Sequence, residues 1–344
     1  MDAPRIPIRN LYYLLCYAWN QLPQGELVDV SRVPTTELVD LFALVLCDGI
    51  QHLVRRGMEQ GYEPREEEIA GVRGRMDILQ SVRRFLPAHG RAACRFDEMT
   101  SNTLANRILK STLGRLMHVA GLDDGLRKRV HGLYRDLHGI HEITVTSHSF
   151  RQVQLHANNR FYRFLLNVCE LIHGAWLVDQ EAGTYRFRDF DRDERIMARV
   201  FQDFLYNFIR IEVPSWTVER QYIRWQATSI SDPELSLLPR METDISLKRE
   251  GQHKIIDAKY YQETLVQRFD QEKIHSAHLC QLFAYLANAG RKPGMALTGM
   301  LLYPQVGRHV CDRYVLLGYP VTIATVDLGQ SWEKVRQQLL ELVE

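Results

Sequence analysis

Two carboxylates and a lysine in the second half of the chain have the types and spacing for metal-assisted chemistry. The stretches Leu238-Pro239-Arg240-Met241-Glu242-Thr243-Asp244-Ile245 and Lys254-Ile255-Ile256-Asp257-Ala258-Lys259-Tyr260 both read as strands. Side chains alternate along a strand, so Asp257 and Lys259 share one face while Ile256 and Ala258 take the other. A hairpin turning at Glu250-Gly251 sets Asp244 opposite Asp257, with Cβ atoms roughly 5 Å apart, and any symmetric lengthening of the loop keeps that pairing. Two unpaired carboxylates at that spacing repel, and a hard divalent cation of the Mg²⁺ type is their natural occupant. Gln281 and Tyr285, four apart on a predicted helix, share a face and could close over the same site. Asp-x-Lys on a strand is by itself more often a solvated pair; the second acid one hairpin arm back, the apolar frame of the strand and the Gln-x-x-x-Tyr helix that follows give it weight.

The elements that must position these residues read as follows. Apolar residues at three and four between Thr36 and Gly57 (Leu38, Leu41, Phe42, Val45, Leu46, Ile50, Leu53) predict a helix with Arg55 and Arg56 at its C-terminal dipole. A helix opening at Asn10 as cap precedes it. Residues 61–96, punctuated by Gly71 and Gly74 and carrying Glu66-Glu67-Glu68, predict a small sheet. Helices follow from Asn102 or Thr103 to Gly121 and from Asp123 to about 137, then a β-like Ile143-Thr144-Val145-Thr146 and a helix over about 158–177. The loop 180–185 and the charged run 186–195 are the best junction. Beyond it the order reads helix (about 194–211), strands (216–227, 238–248, 253–261), helix (about 272–289), strands (296–303, 312–325) and a final helix from Ser331, a mixed sheet flanked by helices. The expected class is α+β.

With 344 residues, 45% hydrophobic and 25% charged, the chain can bury a large core, which excludes a disordered or low-complexity protein. No apolar run is long enough to span a bilayer and the first residues lack a signal-peptide layout, so a cytoplasmic protein without membrane contact is expected. Lys and Arg number 43 against 42 Asp and Glu, so no global positive field draws in nucleic acid, and DNA contact must be local or shared with a partner. Six cysteines without metal-ligand or disulfide spacing are expected as reduced packing residues.

The set Asp244, Asp257, Lys259 with Gln281 and Tyr285 resembles the PD-(D/E)XK nuclease superfamily in its RecB-like form. Ile6-Pro7-Ile8-Arg9-Asn10-Leu11-Tyr12-Tyr13, Tyr17-Ala18-Trp19, Asp97 through Thr103-Leu104-Ala105-Asn106-Arg107-Ile108, Leu238 to Ile245 and Asp257 to Tyr261 extend the likeness nearly end to end to the McrC family, the nuclease subunits of McrBC modification-dependent, 5-methylcytosine-specific restriction systems. The resemblance implies a DNA endonuclease with Asp244, Asp257 and the Ala258 carbonyl as Mg²⁺ ligands. Lys259 would hold the attacking water and stabilise transition-state charge, supported by Gln281 and Tyr285. Where the superfamily often has an acidic residue on the helix before the sheet, this chain has Gln202 followed by Asp203; whether Glu242, on the same strand face as Asp244, compensates is left open by the sequence. The implied partners are double-stranded DNA and an McrB-like AAA+ GTPase ring. The chain itself has no Gly-x-x-x-x-Gly-Lys-Ser/Thr loop with which to bind nucleotide. Residues 1–150 would dock on and activate the ring, 151–195 would be a helical connector and 196–344 the nuclease domain. The other readings are a catalytically silent GTPase-activating subunit and a free-standing RecB-like repair nuclease.

Several further features invite bland readings. Gly71-Val72-Arg73-Gly74-Arg75 reads as a turn between strands before an anion site. His275 and His278, three apart, have metal spacing without a third ligand, which favours phosphate or packing roles. Arg83, Arg84, Arg127, Lys128 and Arg129 read as solvated helix faces or partner contacts, and Tyr12, Tyr13, Tyr17 and Trp19 as core.

Overall fold

The computed structural model describes residues 6–25, 28–30, 33, 37–155, 159–178, 185–187, 193–260, 266–268 and 271–344. The start of the predicted helix at Thr36, most of the junction loop and Tyr261 lie outside them. In chain order the elements are α1 (Ile8–Ala18), α2 (Leu22–Gly25), α3 (Leu38–Arg56), β1 (Gly61–Ala70), β2 (Arg75–Met76), α4 (Ile78–Arg83), β3 (Arg91–Thr100), α5 (Leu104–Leu116), α6 (Asp124–Asp136), α7 (Ser147–Gln152), α8 (Arg160–Gly174), β4 (Trp176–Val178) and β5 (Tyr185–Phe187). There follow α9 (Glu194–Glu212), β6 (Thr217–Glu219), β7 (Tyr222–Ile223), β8 (Met241–Glu242), β9 (Ile245–Arg249), β10 (Gln252–Ala258), β11 (Val266–Arg268), β12 (Gln271–Lys273), α10 (Ser276–Ala289), β13 (Ala296–Pro304), β14 (Cys311–Leu316), β15 (Tyr319–Val326) and α11 (Trp332–Val343).

These elements form two compact units, residues 39–188 and residues 1–38 with 189–344. The cut at 188 falls in the expected charged junction, but the expected division into 1–150, 151–195 and 196–344 differs from this one at both ends. α1 belongs with the second half because its aromatic face has its partners there: Tyr17 lies against Phe204, Phe208 and Trp332 with ring centroids 5.4 to 5.8 Å apart. Asn10 is correspondingly not the cap of α1, which is Pro7. Asn10 sits inside the helix, and its buried amide donates to Leu328 O and Gln330 O. α8 is likewise no connector, since Tyr162 donates to Asn106 on α5 at 2.9 Å.

In the unit of residues 39–188, α3, α5, α6 and α8 bury their apolar stripes, and β1, β3 and β2 form an antiparallel sheet in that order. The glutamate run lies on an edge strand, where Glu66 faces Arg95 across the sheet and Glu68 pairs with Arg84. Pro64 is tolerated on the same edge. Ile143 to Thr146 form no strand. Ile143 N–H donates to Ser111, and Thr146 caps α7 in a capping box with Ser149, so these backbone groups are satisfied by side chains instead of a ladder. Thr103 and Asp123 cap α5 and α6, as one of the two expected caps and as expected. Arg127 is no surface charge patch, because its guanidinium donates to the carbonyls of Met117, Val119 and Leu122.

The other unit is built on a six-stranded mixed sheet in the order β14, β15, β13, β10, β9, β6, with β10, β13 and β15 parallel and the remaining pairs antiparallel. β10 and β13 are joined through α10, which packs on both. At Gly299 a Cβ would come within 2.9 Å of Leu286 Cδ1, so the helix approaches the strand as closely as glycine permits. Ile255, Leu282, Tyr285, Leu286, Leu301 and Ile323 share one core beneath α10. The predicted helix over 272–289 begins only at Ser276, because Gln271–Lys273 pairs with Val266–Arg268. The predicted strand over 312–325 is two, β14 and β15, folded back at Leu317-Gly318, both of which have positive φ. All six cysteines are free, and four are buried; Cys280 and Cys311 are exposed, contrary to their reading as packing residues. No helix among the described residues is long and apolar enough to cross a membrane.

Candidate active site on the β9 to β10 hairpin

β9 and β10 turn at Glu250-Gly251, with Gly251 at φ +68°, a left-handed conformation that glycine adopts without strain. Arg249 pairs with Gln252 and Ile245 with Ile256, so the register is the one that brings Asp244 to Asp257. β9 stops at Ile245, and Asp244 sits in the break between β8 and β9, freed from the ladder. Its Oδ2 accepts the Ala258 N–H at 2.9 Å.

Asp257 is fully buried and Lys259 nearly so, with 13% of its side chain exposed. Lys259 Nζ donates to Asp257 Oδ1 at 3.0 Å. Asp257 Oδ2 lies 2.9 Å from the same ammonium, so both carboxylate oxygens are paired with Lys259, and Oδ2 has no further polar partner among the described residues. Burial and the neighbouring Asp257 push the Asp244 carboxyl up to about 6, against the opposing pull of Lys259, the Ala258 N–H and Arg220. Asp257 is raised as well, by burial, with Lys259 opposing. Burial would lower Lys259, but the charges of Asp257 and Asp244 and the hydrogen bond outweigh it, and the ammonium is held above its ordinary value.

Gln281 and Tyr285 reach the site through the main chain. Gln281 Nε2 donates to Tyr285 Oη at 2.7 Å, and the buried Tyr285 hydroxyl donates to Glu242 O at 3.0 Å, pinning β8 two residues before Asp244. Glu242 contributes that carbonyl, while its side chain is exposed. From the opposite element, Gln202 on α9 donates Nε2 to Ala258 O at 3.2 Å. His278 is a packing residue, its Nδ1 2.9 Å from the Tyr303 hydroxyl, with the His275 ring 4.8 Å away. Burial, Lys259 and His275 lower His278 to about 4. One contributor had no sequence signal: Arg220, bound to Asp203 and close enough to act on Asp244, follows a three-residue strand that no motif marks.

Among the described residues no three His, Cys, Asp or Glu side chains lie together as a metal cluster. What the site offers is two desolvated carboxylates and the Ala258 carbonyl. That all-oxygen set fits a hard cation such as Mg²⁺ better than a zinc-type ion, which favours nitrogen and sulfur.

A mixed sheet flanked by helices, with two acids and a lysine at its β9 to β10 hairpin, defines a protein of the α+β class. The family model described as McrBC 5-methylcytosine restriction system component matches residues 7–304, and the chain belongs to that family. It is 40% identical over 342 residues to the Type IV methyl-directed restriction enzyme EcoKMcrBC of Escherichia coli K12, covering 99% of this chain and 98% of that one. Its fold matches, with a TM-score of 0.63 at 15% identity, a chain in a half-complex from the tetradecameric assembly of Thermococcus gammatolerans McrB AAA+ hexamers with bound McrC, over 98% of this chain and 76% of that one.

Proposed function

We propose that the chain is the Mg²⁺-dependent endonuclease subunit of a GTP-driven restriction complex that cuts DNA carrying methylated cytosine, and that it also stimulates the GTPase of an AAA+ partner. The observation that carries the nuclease half is the buried Asp244, Asp257 and Lys259 set, whose raised carboxyls make the site costly unless a cation occupies it. Membership of the McrBC family and the relative's methyl-directed activity support the substrate; the partner is supported by the assembly in which the fold neighbour was solved. Asp244, Asp257 and the Ala258 carbonyl would hold the cation. When bound, it supplies Lewis-acid polarisation of the scissile phosphate and lowers the pKa of water. Lys259, kept protonated by Asp257, is placed to hold the attacking water and to offset charge developing on the phosphoryl oxygens. Gln281 and Tyr285 keep Asp244 in register through the Glu242 carbonyl.

The docking role falls to the unit of residues 39–188. There α4 and the turn after it leave Ile78, Leu79, Val82 and Phe85 exposed at 64%, 73%, 61% and 75%, an apolar patch of the kind that marks an interface. Leu79→Asp with Val82→Asp is expected to weaken GTPase stimulation by about tenfold or more while thermal melting of the isolated chain stays unchanged; a stimulated rate equal to wild type removes the patch from the interface.

Reconstitution tests the whole reading. The chain mixed with its cognate GTPase ring, GTP and Mg²⁺ is expected to cut methylated DNA and spare unmethylated DNA. EDTA is expected to stop cutting, and the chain alone with Mg²⁺ should cut little. Ready cleavage without the ring would favour a free-standing repair nuclease, and no cleavage under any condition would favour a silent activating subunit.

A further inference from the structure

Half a neighbour is missing along the edge of β10 that carries the site. β9 pairs with β10 only as far as Ile245 opposite Ile256, and the chain then breaks away toward β8. Within a strand the N–H and C=O of one residue point to the same side. Those of Ala258 therefore face the place where β9 would have continued, while the next N–H, that of Lys259, turns the other way and donates to Leu302 O at 3.0 Å. Two side chains stand in for the absent strand. Asp244 accepts the Ala258 N–H, and Gln202 donates to the Ala258 carbonyl at 3.2 Å. The opposite amide orientation would set oxygen against oxygen, so the chemistry of the carbonyl assigns the donor. Asp203, the next residue on α9, is committed elsewhere: its carboxylate is bound by Arg220 and lies 3.9 Å from Arg199.

We propose that Gln202 is a positioning residue that holds the Ala258 carbonyl toward the carboxylate pair and, being a neutral donor, limits the site to one tightly held divalent cation. The proposal rests on the metal-site reading of Asp244 and Asp257. A carbonyl oxygen has two lone pairs; the Gln202 amide takes one and leaves the other for a cation. The amide adds no negative charge, so two carboxylates and the Lys259 ammonium leave a net single negative charge. One divalent cation already overturns that charge, and a second has no protein carboxylate to hold it. A carboxylate at position 202 would face the Ala258 carbonyl oxygen to oxygen, an arrangement that a bridging cation relieves.

The test is Mn²⁺ titrated into the full-length protein by calorimetry, with bound ions counted by electron paramagnetic resonance, for wild type, Gln202→Leu, Gln202→Glu and Asp257→Asn. Wild type is expected to bind one ion. Gln202→Leu should bind one ion about tenfold or more weakly, the usual scale for removing a group that orients a ligand. Gln202→Glu should gain a second ion or hold the first about tenfold more tightly. A role confined to satisfying the backbone would lower melting temperature without moving the ion count. Two ions on wild type, or Gln202→Glu indistinguishable from wild type, overturns the proposal even if Gln202→Leu fails to fold. Asp257→Asn separates the layers: if it binds Mn²⁺ as wild type does, the metal-site reading itself is wrong, whereas loss of binding there with unmoved Gln202 variants removes the Gln202 proposal alone.

Discussion

Asp257→Ala, assembled with the cognate GTPase ring, is expected to lose DNA cleavage by roughly a thousandfold or more while stimulated GTP turnover in the same tubes persists. The carboxylate is fully buried, pairs both its oxygens with the Lys259 ammonium at 2.9 and 3.0 Å, and stands beside the Asp244 carboxyl, whose pKa it helps to raise. No other side chain can replace both contacts: Asp244 is occupied by the Ala258 N–H, and Glu242 turns its carboxylate to solvent. GTP turnover should survive because the exposed apolar patch assigned to docking lies in the other unit, residues 39–188. Truncation also leaves a mostly buried ammonium without its partner, a destabilising change. Asp257→Asn, which keeps the volume, is therefore the companion variant, and both should melt within a few degrees of wild type before their activities are compared. Cleavage at the wild-type rate by Asp257→Asn would remove the carboxylate pair from the chemistry.

The parts of the site readable from sequence are those set by short-range periodicity. Strand alternation put Asp257 and Lys259 on one face, and a hairpin centred at Glu250-Gly251, whatever its loop length, carried the register that brings Asp244 across. Helical spacing put Gln281 beneath Tyr285 for the same reason. What was not readable depends on where the chain breaks or returns. That β9 ends at Ile245, opening the Ala258 carbonyl to a residue 56 positions away, is a property of the sheet that no local pattern encodes. The place of α1 was hidden because an aromatic stripe suits any apolar surface. Tertiary contacts tie it to the second half, among them the bonds from Asn10 to residues 318 and 320 positions away in sequence and the packing of Tyr17 on Phe204, Phe208 and Trp332. Asn10 misled as a cap for the same reason, its amide being used over long range. The split of 312–325 has a local signal in Gly318, whose positive φ closes the turn between β14 and β15.

Asp244→Asn is expected to make the cation-free protein more stable at alkaline pH while destroying its response to Mg²⁺. The carboxyl has an ordinary value of 3.8 and stands at about 6 in the fold. A folded value raised in this way favours the protonated form. Its contribution to stability is fully present below 3.8 and is lost as pH rises through about 6. At pH 8 the folded chain therefore holds a charge that burial and Asp257 disfavour, at a cost of up to about 3 kcal/mol, taking 1.36 kcal/mol for each pH unit between the two values. Asparagine removes the charge and keeps an oxygen that can accept the Ala258 N–H, so little packing is lost. Chemical denaturation in EDTA should then show the variant ahead of wild type at pH 8 and the two converging near pH 4. Mg²⁺ should close the gap by stabilising wild type alone, since a ligand raises stability only in the form that binds it. A variant less stable than wild type at pH 8 in EDTA would mean that Asp244 is held by its partners at no cost. The site would then be a structural ion pair network and not one kept strained for a cation.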